Sequence, residues 1–116
     1  MLDGRWHGAS SDGVRDFRIA VEVDAEHARV RIFGELDVST APELKRVLDG
    51  LNGSHDRVLL DLDRLRFMDS TGLAAIVHAD LLASRNGQRL MIRCNSPQAR
   101  RLFEITGLRD QLTFDE

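Results

Sequence analysis

The sequence is poor in several features, and each shortage excludes a class of protein. Cys94 is the single cysteine among 116 residues, so the chain cannot form an internal disulfide. It lies in the mostly apolar stretch LMIRC, and we expect it to be buried as a small hydrophobic residue rather than to act as a reactive thiol. No apolar run approaches the roughly 20 residues that span a membrane, and the N-terminal stretch lacks the pattern of a secretory signal. We therefore expect a cytoplasmic protein that does not associate with membranes.

The charge balance also lacks a dominant sign. Acidic and basic residues alternate along the chain and leave a net charge of −3, whereas a nucleic-acid binder needs a basic stripe to contact phosphates. Lys45 is the only lysine among the 16 basic residues, which we interpret as a bias of the source genome rather than as a site. With 42% apolar and 30% charged residues, the chain has the composition of one globular domain.

The first half of the chain changes its hydrophobic period once. Residues 1–14 are rich in Gly, Ser and Asp without periodicity, and we expect a flexible extension before a domain over residues 15–116. Two stretches that alternate apolar and polar residues predict a β-hairpin, with Phe17, Ile19, Val21 and Val23 on one buried face and Ala28, Val30 and Ile32 continuing it. A helix follows, for which Thr40 and Glu43 have capping-box spacing and Pro42 lies in the first turn. Its predicted buried stripe is Leu44, Val47, Leu48 and Leu51.

Strands and helices alternate in the second half. The run RVLLDL predicts a strand covered on both faces, and the following helix has Leu73, Ile76, Val77 and Leu81 on one side. The run RLMIRC predicts the next strand, after which Ser96 as N-cap and Pro97 open a third helix that buries Ala99, Leu102 and Phe103. QLTF could add a short final strand.

This order predicts an α/β domain in which about three to four helices pack on a mixed, mostly parallel sheet of four to five strands. Loops at the carboxyl ends of parallel strands gather at one edge and host functional sites. Two polar loops fall there, GELDVST after the hairpin and RFMDSTG after the third strand.

Several kinds of chemistry do not fit these loops. A hydrolase elbow needs Gly two residues before its serine, but Met68 precedes Ser70 there, and no histidine is a natural base for Ser70. The carboxylates Asp61, Asp63 and Asp69 do not clearly converge on a metal ion. A receiver domain would need an early aspartyl pocket and a late lysine, and no glycine-rich loop is present to hold a nucleotide phosphate. We therefore expect neither a catalytic site nor a bound metal or cofactor.

The stretch from Asp69 to Gly72 has two interpretations. An acid or hydroxyl there can cap the second helix, which is worth about 1 kcal/mol. One cap does not require an acid, two hydroxyls and a glycine in succession, and Gly72 costs about 1 kcal/mol relative to Ala inside a helix. A small residue is expected at this position if the backbone of another molecule approaches closely.

Three stretches of the sequence resemble a known family. The stretches VRIFGELDVSTAPELKRVL, RVLLDLDRLRFMDSTGLAAIV and SPQARRLFEITGL resemble, in order, the three signature stretches of the STAS domain. More narrowly, they resemble the bacterial anti-anti-sigma factors, also called anti-sigma factor antagonists. The likeness runs from about Phe17 to Phe114, and FMDSTGL at its distance from GELD is its most specific part.

The resemblance implies a regulatory switch. The family's phosphoacceptor corresponds to Ser70, and Asp37 belongs to the surface that faces the partner. The implied partner-binding residues are Asp37, Met68, Asp69, Ser70, Thr71 and Gly72. In the family, the unphosphorylated protein binds an anti-sigma factor that is also a Ser/Thr kinase, which releases a sigma factor. The kinase then phosphorylates the serine, and a serine phosphatase restores the original state.

Some roles stay open at the level of the sequence. Asp37 could instead cap the first helix or close its loop, and Thr71 could be an auxiliary cap or a second phosphoacceptor. A different reading of the whole chain is a structural STAS module of a membrane transport or signalling complex, which would need no phosphorylatable serine. The intact MDSTGL favours the regulator, which we expect to be a monomer or a weak dimer.

Overall fold

The computed structural model describes residues 17–115 and the backbone of residues 5–9. The elements in chain order are β1 (Arg5–Ala9), β2 (Arg18–Val23), β3 (His27–Leu36), α1 (Ala41–Leu51), β4 (Arg57–Asp61), β5 (Leu65–Met68), α2 (Ser70–Arg85), β6 (Arg89–Arg93), α3 (Pro97–Ile105) and a short 3-10 helix (Leu108–Asp110). None of the helices in these described ranges is long and apolar enough to cross a membrane.

The strands form one mixed sheet in the order β1-β2-β3-β4-β6, with β5 paired to the far end of β3. β2 pairs antiparallel with β3, which confirms the predicted hairpin, and β3, β4 and β6 run parallel. The Asp24 carboxylate closes the hairpin because it accepts hydrogen bonds from the backbone N–H groups of Glu26 at 2.9 Å and His27 at 2.8 Å. The same hydrogen bonds lower the pKa of Asp24, since they favour the ionised form.

β3 changes its partner along its length. Residues 27–31 pair with β4, whereas residues 34–36 pair with β5. The register shifts between Gly34 and Glu35, and Gly34 has φ +98°, a value that side-chain-bearing residues rarely adopt. β5 therefore pairs with β3 beyond the point where β4 has stopped, and the irregularity lies within the β3–β5 pairing, which skips Arg66.

One hydrophobic core lies between the sheet and the helices, and most of it is as predicted. Alternate strand residues are buried, among them Ile19, Val30, Ile32, Leu60 and Ile92, each at most 1% exposed. In α1 the predicted stripe packs on the core, and in α3 Ala99 and Phe103 are buried. Cys94 is buried as predicted, and this burial raises the pKa of its thiol. The stripe of α2 is partly wrong, because Leu81 is 55% exposed and Ala83 is buried instead.

The structure differs from the sequence predictions in where some strands lie. The main path of the sheet, β1-β2-β3-β4-β6, has five strands, within the predicted four to five. β5, which pairs with β3 off this path, lies in a stretch predicted as loop, and β1 lies in the predicted N-terminal extension. The flexibility predicted for the N-terminal extension stays a prediction, since residues 1–4 and 10–16 lie outside the described residues. In place of a last strand, QLTF contributes one bridge between Ile92 and Phe114.

Candidate functional site

The loop after β3 is closed by the side chain of Asp37, which is 8% exposed. Its Oδ1 accepts hydrogen bonds from the Ser39 N–H at 3.0 Å and from the Ser39 hydroxyl at 2.8 Å. These contacts favour the alternative that Asp37 closes its own loop, and they do not place its carboxylate as a free surface charge. If Asp37 supports partner binding, it does so by fixing the loop that carries Val38.

Thr40 reinforces this loop rather than capping α1 in the predicted way. It is the N-cap residue, but its side chain makes no hydrogen bond to the first turn of the helix. The Thr40 hydroxyl instead donates to the Glu35 carbonyl at 2.7 Å and accepts from the Asp37 N–H at 2.9 Å. The predicted capping box is therefore wrong, because the Thr40 hydroxyl bonds to the backbone of the loop after β3 instead of to the first turn of α1.

In the loop before α2, Asp69 is the helix cap. Its Oδ1 accepts hydrogen bonds from the backbone N–H groups of Thr71 at 2.9 Å and Gly72 at 3.0 Å. Ser70 is the first residue of α2 and its side chain is exposed, as is that of Thr71. Within the part of the chain that the structure describes, no protein group engages the Ser70 hydroxyl. One acid thus serves the capping function, and the neighbouring hydroxyl is left facing solvent.

The two loops are joined at Leu36, so that the sequence-distant residues form one surface. The Asp69 N–H donates to the Leu36 carbonyl at 3.1 Å, and Met68 pairs with Leu36 in the β3–β5 ladder. A Cβ at Gly72 would lie 2.7 Å from both Leu36 Cγ and the Leu36 carbonyl oxygen. The expected reason for Gly72 is therefore corrected: it is buried, and the small residue admits the end of β3 rather than another protein.

Met68 also needs correction as a surface contact. Its side chain is 0% exposed and belongs to the core, whereas the adjacent Phe67 is 41% exposed. The reason is that β5 is a strand, so successive side chains point to opposite faces. Val38, 71% exposed, follows Leu36 and Asp37 on the joined loop. The exposed large apolar side chains of the two joined segments are thus Phe67 and Val38, which the sequence did not identify as a pair.

Gln98 is a second residue that the sequence did not reveal. From the first turn of α3 its side-chain amide accepts from the Met68 N–H at 2.8 Å and donates to the Met68 carbonyl at 2.9 Å. The side-chain amide of Gln98 therefore makes the two hydrogen bonds to the Met68 backbone that a neighbouring strand would make at this edge of β5. Because Met68 lies two residues before Ser70, Gln98 fixes the approach of the chain to the exposed hydroxyl. No local sequence signal distinguishes it from other surface glutamines.

Charges of both signs lie near Ser70. The N-terminus of α2 carries the positive end of the helix dipole, and its first turn has no acidic residue to neutralise it. The carboxylate of Asp69, which caps this terminus, is half-buried next to Ser70, whereas Asp37 is buried within its own loop. The neutral Ser70 hydroxyl therefore lies on a helix end that favours an anion, next to one existing carboxylate.

The chain is similar to known proteins over most of its length. Residues 19–113 match the family described as Mlab, STAS domain. The anti-sigma-B factor antagonist of Staphylococcus aureus is 40% identical over 89 residues, which cover 75% of this chain and 82% of the relative.

Two solved structures share the fold. An anti-sigma factor antagonist from Mycobacterium paratuberculosis superposes with a TM-score of 0.77 at 22% identity, covering 92% of this chain and 89% of that one. The anti-sigma factor antagonist SpoIIAA in its unphosphorylated form gives a TM-score of 0.71 at 23% identity, with coverages of 84% and 88%. The chain belongs to the STAS domain family, among the anti-sigma factor antagonists.

Proposed function

We propose that this chain antagonises an anti-sigma factor and is switched off by phosphorylation of Ser70. In its unphosphorylated form it binds an anti-sigma factor that is also a Ser/Thr kinase and so releases a sigma factor for transcription. Phosphorylation by that kinase ends the complex, and a serine phosphatase restores binding. The observation that carries the proposal is the exposed Ser70 hydroxyl on a helix end already capped by Asp69.

The Ser70 hydroxyl is available to a kinase without local unfolding. Because Asp69 holds the N–H groups of Thr71 and Gly72, no capping bond of α2 has to break when Ser70 enters a kinase active site. A serine that served as the cap would have to give up a hydrogen bond worth about 1 kcal/mol. Because Asp69 caps the helix and Ser70 does not, a phosphate can be added to Ser70 and removed again without loss of a capping hydrogen bond.

The domain tolerates a phosphate at this position. Phosphorylation adds about −1.5 to −2 charges, and the N-terminus of a helix favours negative charge by about 0.3–1 kcal/mol at an exposed site. Ser70 lies at that terminus and its side chain is exposed, so a phosphate there does not enter the core. Inhibition therefore acts at the interface, without refolding of the domain.

The interface itself consists of exposed residues from both loops. Val38 and Phe67 give it apolar contact area, and Ser70 and Thr71 lie beside them. A partner surface fitted to a neutral hydroxyl meets a dianion after phosphorylation, next to the existing charge of Asp69. A loss of about 3 kcal/mol at the interface weakens binding roughly a hundredfold.

The alternative function is a structural STAS module of a membrane transport or signalling complex. Such a module would use the same fold without a need for an exposed serine at the helix end. The regulator is favoured because the relative with 40% identity is named an anti-sigma-B factor antagonist. As a regulator the chain acts in the cytoplasm as a monomer or weak dimer, without enzymatic activity, cofactor, metal or direct contact with nucleic acid.

The test combines modification with binding. The purified chain is incubated with ATP, Mg²⁺ and each candidate anti-sigma kinase of the same organism, and its intact mass is measured. We expect one added phosphate, which Ser70→Ala abolishes and the matched control Thr71→Ala retains. We expect Ser70→Asp to bind the kinase at least about tenfold more weakly than wild type in a titration, as added charge at an interface requires.

Two outcomes would contradict the switch. A phosphate that persists in Ser70→Ala and disappears in Thr71→Ala would move the acceptor to Thr71. If no candidate kinase modifies the chain and Ser70→Asp binds its partner as well as wild type, the structural module is the better description.

A further inference from the structure

A second candidate site lies at the carboxyl end of β6, and it shares no lining residue with the surface around Ser70. It is a pocket of about 230 Å³ between the end of β6, α3 and the C-terminal segment. Three arginines line it together with one acid: Arg93, Arg100, Arg109 and Asp115. Cys94, Asn95 and Phe114 complete the lining. The charged side chains of the lining therefore sum to +2, in a chain whose net charge is −3.

Each of the three arginines has a different neighbour within the lining. Arg93 forms an ion pair with Asp115, Nη2 to Oδ2, at 2.7 Å. Arg109 lies over the ring of Phe114, with its guanidinium carbon 5.5 Å from the ring centroid. Burial and the carboxylates of Asp63 and Asp61 raise the pKa of the Cys94 thiol, whereas the third cation, Arg100, lowers it. Asp63 also accepts a hydrogen bond from the Asn95 N–H at 2.9 Å, so one carboxylate outside the lining lies beside the pocket. Because Arg93 is already paired with Asp115, the attraction for a bound anion comes mainly from Arg100 and Arg109.

The backbone adds to the same field. α3 begins at Pro97, between the lining residues Asn95 and Arg100, and its N-cap Ser96 makes no side-chain hydrogen bond to the first turn. The positive end of the helix dipole therefore lies beside the pocket. The arginines and the helix end are separate features of the chain, and both favour a negative ligand in the same place.

We propose that this pocket binds a phosphate group, either as free phosphate or as the phosphate of a small monoester. Arginine matches phosphate because its planar fork donates two parallel hydrogen bonds to two oxygens. The volume is below the roughly 300–1,000 Å³ of pockets for drug-sized ligands, which limits the ligand to a phosphate with a small substituent. The ring of Phe114 offers the substituent an apolar wall. This site is independent of the Ser70 switch.

The test is a titration of the ¹⁵N-labelled protein followed by amide chemical shifts, at constant ionic strength kept with chloride. The ligands are inorganic phosphate and glycerol 3-phosphate, and uncharged glycerol is the negative control. We expect saturable shifts at Asn95 and Arg100 with both phosphates. Tighter binding of glycerol 3-phosphate would assign the site to a monoester, whereas equal or tighter binding of inorganic phosphate would assign it to the free ion.

Matched arginine variants separate a built site from general surface charge. Arg100→Gln and Arg109→Gln are each expected to weaken phosphate binding about tenfold, as the loss of a charged hydrogen-bond donor predicts. Arg89→Gln removes the same charge at the opposite end of β6 and is expected to change binding less than about twofold. Equal weakening by Arg89→Gln, or the absence of saturable shifts with both phosphates, would overturn the proposal. Should Arg109→Gln disturb the C-terminal segment, Arg100→Gln on α3 still decides it.

Discussion

Two helical glycines, Gly72 and Gly50, should respond in opposite directions to the same substitution. Gly50 lies in the last turn of α1, and a Cβ there would meet nothing within 4 Å. At Gly72 a Cβ would lie 2.7 Å from Leu36 Cγ and 2.7 Å from the Leu36 carbonyl oxygen. Helix propensity alone favours alanine at either position by up to about 1 kcal/mol. The difference between the two sites therefore isolates the packing of Gly72 against β3.

The packing at Leu36 leaves little room for relaxation. Its side chain is 0% exposed, and its carbonyl accepts the Asp69 N–H, so neither atom can retreat without loss elsewhere. Overpacking of this kind costs about 1–3 kcal/mol. After the gain in helix propensity, we expect Gly72→Ala to lower the free energy of unfolding by about 1–2 kcal/mol. Gly50→Ala should raise the same free energy by about 0.5 kcal/mol.

Urea unfolding followed by circular dichroism measures both changes, and the slope against urea shows whether the unfolded state has altered. Each kcal/mol corresponds to a shift of about 4 °C or more in Tm for a domain of this size. A Gly72→Ala variant as stable as Gly50→Ala would refute the close approach of α2 to β3. If that stable variant also lost its partner, the glycine would serve the partner's backbone, as the sequence first suggested.

Two further predictions concern β5 and α2. Gln98→Ala removes both hydrogen bonds to Met68, so it should lower the free energy of unfolding by about 1 kcal/mol and speed the hydrogen exchange of the Met68 amide. Gln111→Ala, at an exposed position, is the control. Unchanged exchange at Met68 in Gln98→Ala would contradict the role of Gln98 in holding β5. Burial raises the pKa of Asp80, so the stability it contributes in its protonated form is lost as pH rises through that pKa. Asp80→Asn should therefore be more stable than wild type at pH 7, with the difference vanishing below about pH 4, and equal urea midpoints at both pH values would contradict this.

Local patterns in the sequence were sufficient for most elements. Strict alternation over β2 and β3 predicted the hairpin, because a half-buried strand must place every second side chain in the core. Apolar spacing near 3.6 predicted α1 and α3, and the residues around Ser70 predicted the start of α2. These features depend on residues near one another in the chain, which is why they could be read without the fold.

Local patterns failed where a distant segment decides. β5 has only four residues with buried ends and exposed middle residues, and it is a strand because it pairs with the end of β3, beyond the residues of β3 that pair with β4. That pairing buries Met68, exposes Phe67 and gives Gly72 its steric role against Leu36. The same holds for Gln98, whose partner lies 30 residues earlier.

The sequence by itself thus determined the α/β order, the core faces of the hairpin and the position of an exposed serine beside an acid. Only the tertiary structure decided which residues surround that serine, because the surface is assembled from the ends of β3 and β5 and fixed by α3. The tertiary structure also decided that Asp69 caps α2 and that Asp37 closes its own loop, since each carboxylate accepts hydrogen bonds from the donors that folding brings within about 3 Å. The sequence specifies which side chains can donate or accept hydrogen bonds, whereas the packing of distant segments decides which of these bonds form.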